Sequence, residues 1–328
     1  MNLVSDLQTL FVAGLEQVGE GVPFEKTSWL RDDGRHGGGS RYSTGGNALF
    51  DRASVNVSQI HYDDDPKKKL GSATALSTII HLRNPYAPSM HMHISWTEMK
   101  SGEGYWRVMA DLNPSIENAE HTQSFKRCLK KVAPDQYQEA SEQGDRYFYI
   151  PALSRHRGVA HFYLENYKTS DHDVDLQFAQ DFGMAVIDCY LSMIRGAIGR
   201  HVEVDDAAKA TQLAYHTLYF FQVLTLDRGT TSGLLIHDQN DIGIMGSLPS
   251  EVDQCLLSSW RELLPKPQGS LLDRLLEAFP DGQRSAVTPE VKLKIAQAVR
   301  EHYRQYPEAL QHQASGNVIP PTVANHST

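Results

Sequence analysis

The sequence has few cysteines and no long hydrophobic run. Its 328 residues include three cysteines, Cys128, Cys189 and Cys255, and no CxxC pair. This spacing argues against a zinc ribbon or an iron–sulfur cluster, and it predicts no disulfide framework. No stretch approaches the roughly 20 apolar residues that cross a bilayer, and the N-terminus lacks the pattern of a signal peptide. We therefore expect a cytoplasmic protein without a membrane span.

Positive charge and nucleotide-binding motifs are also scarce. Lys and Arg total 31 against 40 Asp and Glu, which gives a formal net charge of −9. General nucleic-acid binding needs a basic surface and is not expected. The sequence contains no G-x-x-x-x-G-K-[ST], G-x-G-x-x-G, H-E-x-x-H or G-x-S-x-G motif. An anionic ligand would have to be bound by a local group of arginines.

Alternating side chains predict strands in the first half of the chain. The strand patterns cover residues 53–61, 75–82, 91–96 and 106–112. In the first pattern Val55 and Val57 fall on one face, while Asn56 and Ser58 fall on the other. The turn at 84–88 is short, and short turns join antiparallel neighbours, so we expect an antiparallel sheet.

Helical spacing dominates the rest of the chain. The predicted helices cover residues 3–18, 117–132, 135–143, 173–200, 203–215 and 251–264, with another after Pro289. Thr288 before that proline is typical of an N-cap. Further strand patterns occupy 219–226, 234–237 and 242–246. The sequence predicts one α+β domain over 1–265, an antiparallel sheet covered by helices. A helical extension over 266–309 and a disordered tail over 310–328 follow.

Residues 31–47 form a glycine-rich segment, RDDGRHGGGSRYSTGGN. Glycine permits backbone conformations that other residues avoid, so this segment is predicted to be a loop that approaches a ligand closely. Arg35 and Arg41 would supply positive charge to that ligand. The alternative is an ordinary mobile surface loop.

Asp227 and Arg228 are an adjacent acid–base pair beside Gly229, at the end of an apolar run. Such a pair next to glycines is a candidate catalytic or binding site. The alternative is a turn that carries a surface ion pair.

His91 and His93 fall two residues apart in a predicted strand, which places both imidazoles on one face. With a carboxylate such as Asp111 from a neighbouring strand they could bind a metal, although a His-x-His pair alone is a weak signal. Two such histidines are more often solvated or hydrogen-bonded.

Arg155 and Arg157 follow the aromatic run at 147–149. Arginines beside aromatic rings suit a planar anionic ligand, which they can bind by bidentate hydrogen bonds and stacking. The alternative is a solvated, charged loop.

An ordered series of motifs runs through residues 25–250. The motifs are GGGSRYSTGGNALFDRASVNVSQIH, NPYAPSMHMHISW, ADLNP, YFYI, RGVAHFYLEN, LDRGTTSGL and GIMGSLP. Each is weak alone, but the ordered series resembles the oxygen-dependent coproporphyrinogen III oxidases.

This resemblance implies a large antiparallel sheet with helices on both faces and a homodimer. It implies oxidative decarboxylation of two propionate side chains of a porphyrinogen to vinyl groups, a step of haem synthesis. Molecular oxygen is then the co-substrate, and no metal or organic cofactor is expected. The expected partner is a porphyrinogen-like small molecule.

The resemblance also assigns roles to individual residues. The residues that match catalytic positions are His91, Asp111, Asp227 and Arg228. The residues that match substrate-binding positions or lie in the matching glycine-rich motifs are Ser58, Arg41, Arg157, Gly229 and Arg35.

The sequence departs from the family pattern at several positions, and two of these departures remove positive charge. Ala152 and Leu153 stand where a His-Arg dipeptide is usual, and Asn240 lies in a segment that has lost another arginine. His93 replaces an asparagine, and Arg107-Val108-Met109 replaces a triple glycine.

These departures leave three functions open. They are coproporphyrinogen III oxidation, oxidation of another, less anionic substrate, and non-enzymatic porphyrin or haem binding with His91 or His93 as axial ligand. A fourth function, metal-dependent oxidation at the His91/His93 pair, is not supported by the resemblance. For the first, Arg35, Arg52 or Arg155 would have to compensate for the lost cations.

Overall fold

A computed structural model describes residues 2–200 and 203–316. Its strands are β1 (Glu25–Leu30), β2 (Gly37–Gly45), β3 (Phe50–His61), β4 (Leu70–Leu82), β5 (Ser89–Met99), β6 (Gly104–Asn113), β7 (Tyr149–Ile150), β8 (Arg155–His156), β9 (Ala160–Tyr167), β10 (Glu251–Asp253) and β11 (Arg284–Ala286). Within these residues seven strands form one antiparallel sheet, in the order β1-β2-β3-β4-β5-β6-β9. Six of them follow chain order, because short turns can join only antiparallel neighbours.

Helices cover this sheet on two sides. They are α1 (Asn2–Val18), α2 (Ala119–Val132), α3 (Tyr137–Phe148), α4 (His172–Arg200), α5 (Asp206–Thr225), α6 (Arg228–Ile236), α7 (Asp241–Ile244), α8 (Gln254–Ser259), α9 (Gln268–Glu277) and α10 (Pro289–Gln305). Helices α1 and α4 pack on one face, and the core formed by α5 to α10 packs against the other. The predicted fold class, an α+β domain with helices on both faces, is confirmed.

Strand β3 shows how the sequence pattern separates these two faces. Ala53 and Val55 are fully buried in the core beneath α1 and α4. Asn56 and Ser58 point the other way and line a cavity under the second helical layer. Period-two alternation produces this division, as the sequence predicted.

Helix α4 is apolar for most of its length. Among the described residues it is the one helix long and apolar enough to cross a membrane, over His172–Gly199, and half of its apolar window is buried in the fold. Phe182, Ile187 and Tyr190 are fully buried in the core beneath the sheet. The sequence predicted this helix over 173–200 without singling out its long apolar stretch, and that apolar composition follows from the packing.

The strands predicted at 219–226, 234–237 and 242–246 are wrong. Helices α5, α6 and α7 occupy these residues. The end of α5 is buried on all sides, including Phe220 and Phe221. A short apolar run that is buried all round has no polar face, so periodicity cannot distinguish a helix from a strand. The helix predicted over 251–264 is also shorter, because β10 precedes α8.

The glycine-rich loop predicted over 31–47 is largely a strand. Strand β2 runs between β1 and β3, and Gly39 pairs with both Trp29 and Ser58. A Cβ on Gly39 would collide with the Trp29 ring and with the carbonyl oxygen of Val57. The glycine is therefore needed for close packing inside the sheet and not for a mobile loop.

The C-terminal helices join the core of the second layer. Thr288 caps α10 by accepting a hydrogen bond from Val291 N at 3.3 Å, as predicted. Of the tail predicted over 310–328, residues 317–328 lie outside the described residues. The first part lies against the fold, where Ala314 N donates to Leu226 O at 2.9 Å.

Candidate active site

A cavity of about 320 Å³ lies between the sheet and the second helical layer. Strands β3 to β6 supply its floor, and α3, α6, α7 and the end of α5 supply its walls. Among the predicted site residues, those that line it are Ser58, His91, Arg157, Asp227, Arg228 and Gly229. The fold thus brings together side chains that are up to 171 positions apart in the sequence (229 − 58).

The register of β5 and β6 places His91 directly opposite Asp111. His91 Nδ1 and Asp111 Oδ1 are 2.6 Å apart, and Arg157 Nη2 donates to Asp111 Oδ2 at 2.6 Å. Asp111 is fully buried beneath the cavity. Burial alone would raise the pKa of Asp111, but Arg157, His91 and Asn113 outweigh burial and hold that pKa well below its usual range.

Arg157 is itself enclosed by aromatic rings and a glutamine. Its guanidinium lies 4.3 Å from the ring centroid of Phe148 and 4.8 Å from that of Tyr219. Its Nη1 donates to Gln222 Oε1 at 2.8 Å. These contacts hold Arg157 in place as the counter-ion of Asp111. Only the part of its guanidinium that faces the cavity is then left for the predicted role in substrate binding.

Asp227 is the N-cap of α6, where its side chain accepts a hydrogen bond from Thr230 N at 2.7 Å. Its other oxygen accepts from the Tyr147 hydroxyl at 2.9 Å. The helix N-terminus and these two donors stabilise the carboxylate at the cavity wall.

Arg228 follows at the first position of α6 and is almost fully buried. It forms an ion pair with the buried Glu165, and it lies 3.3 Å from the Tyr163 hydroxyl. Burial would lower the pKa of Arg228, but Tyr147, Tyr163 and Glu165 outweigh burial and raise it. Its Nε and Nη1 have no hydrogen-bond partner in the described chain. Both atoms are buried, although the residue as a whole lines the cavity.

His91 and His93 share one face and line the cavity, as predicted. His93 is hydrogen-bonded to Ser77 Oγ at 2.7 Å and to Ser95 Oγ at 3.0 Å. Burial, together with Arg107 and His91, lowers the pKa of His93 to about 3. No group of three or more His, Cys, Asp or Glu side chains is arranged for a metal within residues 2–200 and 203–316.

Two predicted substrate-binding arginines lie away from the cavity lining. Arg35 is exposed and pairs with Asp64. Arg41 contacts Gly243, which lines the cavity, and its Nη1 is buried without a partner among the described residues. The arginines expected to compensate for lost cations, Arg52 and Arg155, do not line the cavity either.

Sequence reasoning missed two arginines that do line the cavity, Arg31 and Arg107. The signal for Arg107 was available, because alternation along β6 places it on the same face as Met109 and Asp111. Tyr163 and Glu165, which hold Arg228, share the matching face of β9 and were also missed.

The cavity lining holds more guanidinium groups than carboxylates, although Asp111 and Glu165 pair with two of them. Its arginines are Arg31, Arg107, Arg157 and Arg228, whereas Asp227 is the carboxylate among the described lining residues. An excess of guanidinium groups in a cavity with apolar walls suits an anionic organic ligand. The fold and the site thus define an α+β protein with an antiparallel sheet and an arginine-lined cavity between the sheet and a helical layer.

Comparison with known proteins specifies this class. The sequence model of one family, described as coproporphyrinogen III oxidase, matches residues 1–278. The chain therefore belongs to the coproporphyrinogen III oxidase family. Its match to the oxygen-dependent coproporphyrinogen-III oxidase of Rickettsia akari is 28% identical over 243 residues, covering 70% of this chain and 84% of the relative.

Mitochondrial relatives are more distant. The oxygen-dependent coproporphyrinogen-III oxidase of Rattus norvegicus is 26% identical over 302 residues, covering 84% of this chain and 66% of the relative. The human protein of the same name is 25% identical over 306 residues, covering 84% of this chain and 64% of the relative. This low identity agrees with the divergent membership that the sequence predicted.

Proposed function

We propose that this protein oxidatively decarboxylates the propionate side chains of coproporphyrinogen III to vinyl groups, with molecular oxygen as the oxidant. The observation that carries the proposal is the adjacent pair Asp227 and Arg228 at the start of α6, at the wall of a cavity rich in arginines. A carboxylate suits a pyrrole N–H group, and a guanidinium suits a propionate. Membership of the family supports the same reaction.

Asp227 is the group that accepts the pyrrole N–H proton in this mechanism. Tyr147 and Thr230 hold its two oxygens in place, so the base is oriented before the substrate arrives. Proton transfer to a positioned base contributes about 10²–10⁴-fold to a rate. Loss of that proton makes the pyrrole ring electron-rich, and the ring can then react with oxygen.

Arg228 steadies the propionate carboxylate until carbon dioxide leaves. For each side chain the propionic acid loses a β-hydrogen and carbon dioxide to leave the vinyl group, while oxygen takes up the two electrons and two protons and leaves as hydrogen peroxide. His91, oriented by Asp111, is a second group able to hold or move a proton at the cavity surface.

We also propose that the reaction needs no resident metal or organic cofactor. The family resemblance implies none, and the electrons that oxygen accepts come from the substrate. The homodimer and the cytoplasmic location stay predictions from the sequence.

A less anionic substrate is the second candidate. Asn240 lines the cavity in the segment that has lost an arginine. Ala152 and Leu153, which replace a usual His-Arg dipeptide, do not line it. A carboxylate buried without a cationic partner is costly, by several kcal/mol in order of magnitude. The loss of cations therefore favours a substrate with fewer carboxylates unless other arginines replace them.

One assay separates these functions. Purified protein is given coproporphyrinogen III with and without oxygen, and carbon dioxide release and product fluorescence are followed. We expect turnover only with oxygen. Tight binding of coproporphyrinogen III without any turnover would contradict the oxidase and favour a porphyrin-binding protein. Faster turnover of a less carboxylated porphyrinogen would support the second candidate.

A further inference from the structure

Arg107 lies on the cavity wall at a distortion of the sheet. Trp106 pairs with Tyr167 and Val108 pairs with Leu164, so two steps along β6 face three steps along β9. A bulge of this kind redirects the side chain beside it. On its other side Arg107 pairs with Ser95, which also lines the cavity.

Arg107 has no ion pair or hydrogen bond with any described residue, and its Nε is buried without a partner. The charges that act on it are Glu165 and Arg228, together with the hydroxyls of Tyr163 and Tyr105. The Nε group of Arg107 is therefore shielded from water but has no hydrogen-bond acceptor in the described chain, which is unfavourable.

Glu165 does not neutralise both arginines. Its Oε1 accepts from Arg228 and from the Tyr163 hydroxyl at 3.0 Å. Its Oε2 lies beside Gly316, away from any hydrogen-bond donor in the described chain. Two guanidinium groups therefore share one carboxylate, and both keep unpaired N–H donors. Arg107 therefore has no carboxylate of its own and no hydrogen-bond acceptor among the described residues.

We propose that Arg107, together with Arg228, binds a carboxylate of the substrate and determines specificity for a polycarboxylate. The proposal rests on the proposed function, which it deepens by assigning a carboxylate subsite on β6. Arg107 then supplies a cation from the sheet where Asn240 supplies none from the helical layer. The subsite favours the four-propionate substrate over the less anionic candidate.

Binding of the oxidised, unreactive ligand coproporphyrin III tests this without requiring turnover. Fluorescence titration should show about 10- to 100-fold weaker binding to Arg107→Gln, because a charge-assisted bidentate contact is lost. Arg107→Lys keeps the charge but loses the planar guanidinium, so its affinity for coproporphyrin III should lie between those of the wild type and Arg107→Gln. Coproporphyrin III tetramethyl ester, which has no free carboxylate, should bind wild type and Arg107→Gln equally.

Arg155→Gln is the matched control, because Arg155 is exposed and does not line the cavity. It should bind coproporphyrin III like the wild type. In the oxidase assay Arg107→Gln should raise KM by a similar factor and change kcat little. Thermal unfolding verifies that each variant is folded. If Arg107→Gln does not fold, the affinity of Arg107→Lys for coproporphyrin III is compared with that of the wild type instead.

Unchanged binding of coproporphyrin III to Arg107→Gln, or an equal loss for the ester, would overturn the proposal. Turnover with binding that is independent of Arg107 would remove this inference and leave the proposed function. Binding that depends on Arg107 without any turnover would remove the proposed function and leave the carboxylate subsite.

Discussion

His91 Nδ1 lies 2.6 Å from Asp111 Oδ1, although only the histidine reaches the cavity. The pKa of Asp111 is held low, because Arg157 and His91 outweigh the effect of its burial. Asp111 is therefore ionised at neutral pH and must accept the hydrogen bond, so Nδ1 of His91 carries the proton. Asp111 thus acts through His91 by fixing its ring and its tautomer.

Asp111→Asn should strongly destabilise the fold. The buried Arg157 would lose its counter-ion, and an unpaired buried charge costs about 3–5 kcal/mol. Urea denaturation at pH 7 measures the loss. Asp64→Asn weakens the contacts of Asp64 with Arg35 and His36 near the surface and should lower the free energy of unfolding by at most about 1 kcal/mol. Equal effects of the two substitutions would mean that Asp111 is not a structural anion.

Asp227→Asn should lower kcat by about 100-fold or more while coproporphyrin III binding changes little. The amide keeps the shape and can still cap α6, but it cannot accept the pyrrole proton. Asp253→Asn is the control, because Asp253 is also an N-cap, accepting from Leu256 N at 2.9 Å, and does not line the cavity. A similar loss in both variants would point to helix capping in place of base catalysis.

Local patterns predicted the strands well where one face of the sheet differs from the other. Strand β3 alternates between the core at Val55 and the cavity at Asn56; it ends at His61 as predicted and begins at Phe50, three residues before the predicted start. Where a segment is buried on all sides, as around Phe221, the sequence carries no such contrast and α5 was predicted to end early.

The site could be predicted only where the residues form a motif. Asp227 and Arg228 are neighbours in the sequence, and His91 and His93 are two residues apart on one strand. Glu165 and Arg107 became part of the site through the pairing of β6 with β9. Alternation along β6 could have placed Arg107 on the cavity face. Long-range pairing and a local shift in register are not encoded in any short segment, so the place of Glu165 beside Arg107 and Arg228 required the structure.

Gly39→Ala should lower the free energy of unfolding by about 1–3 kcal/mol, because the added methyl collides with the Trp29 ring and the Val57 backbone. Gly196→Ala is the control. Gly196 lies in α4 with nothing within 4 Å of its added Cβ, so alanine there should be neutral or stabilising by about 0.5–1 kcal/mol. Urea denaturation of both variants measures the difference. No destabilisation by Gly39→Ala would restore the view of this segment as a loop.

His93 should make the protein less stable in weak acid. Burial, Arg107 and His91 lower its folded pKa to about 3, whereas an unfolded histidine titrates near about 6.5. Between these values the unfolded chain binds more protons, so stability falls as pH decreases from about 6.5 and is unaffected above it. The serine hydroxyls that flank the ring, Ser77 and Ser95, cannot compensate a positive charge.

His93→Gln should therefore reduce the loss of stability between pH 7 and pH 5 by roughly 1–2 kcal/mol, because one of the groups that the unfolded state protonates preferentially is removed. Urea denaturation at both pH values measures the change. A residual loss should persist, since burial also lowers the pKa of His81 to about 3. His312→Gln, at an exposed position, should leave the pH dependence as in the wild type. If His93→Gln retains the full acid sensitivity, the buried imidazole is not the group whose protonation opposes folding.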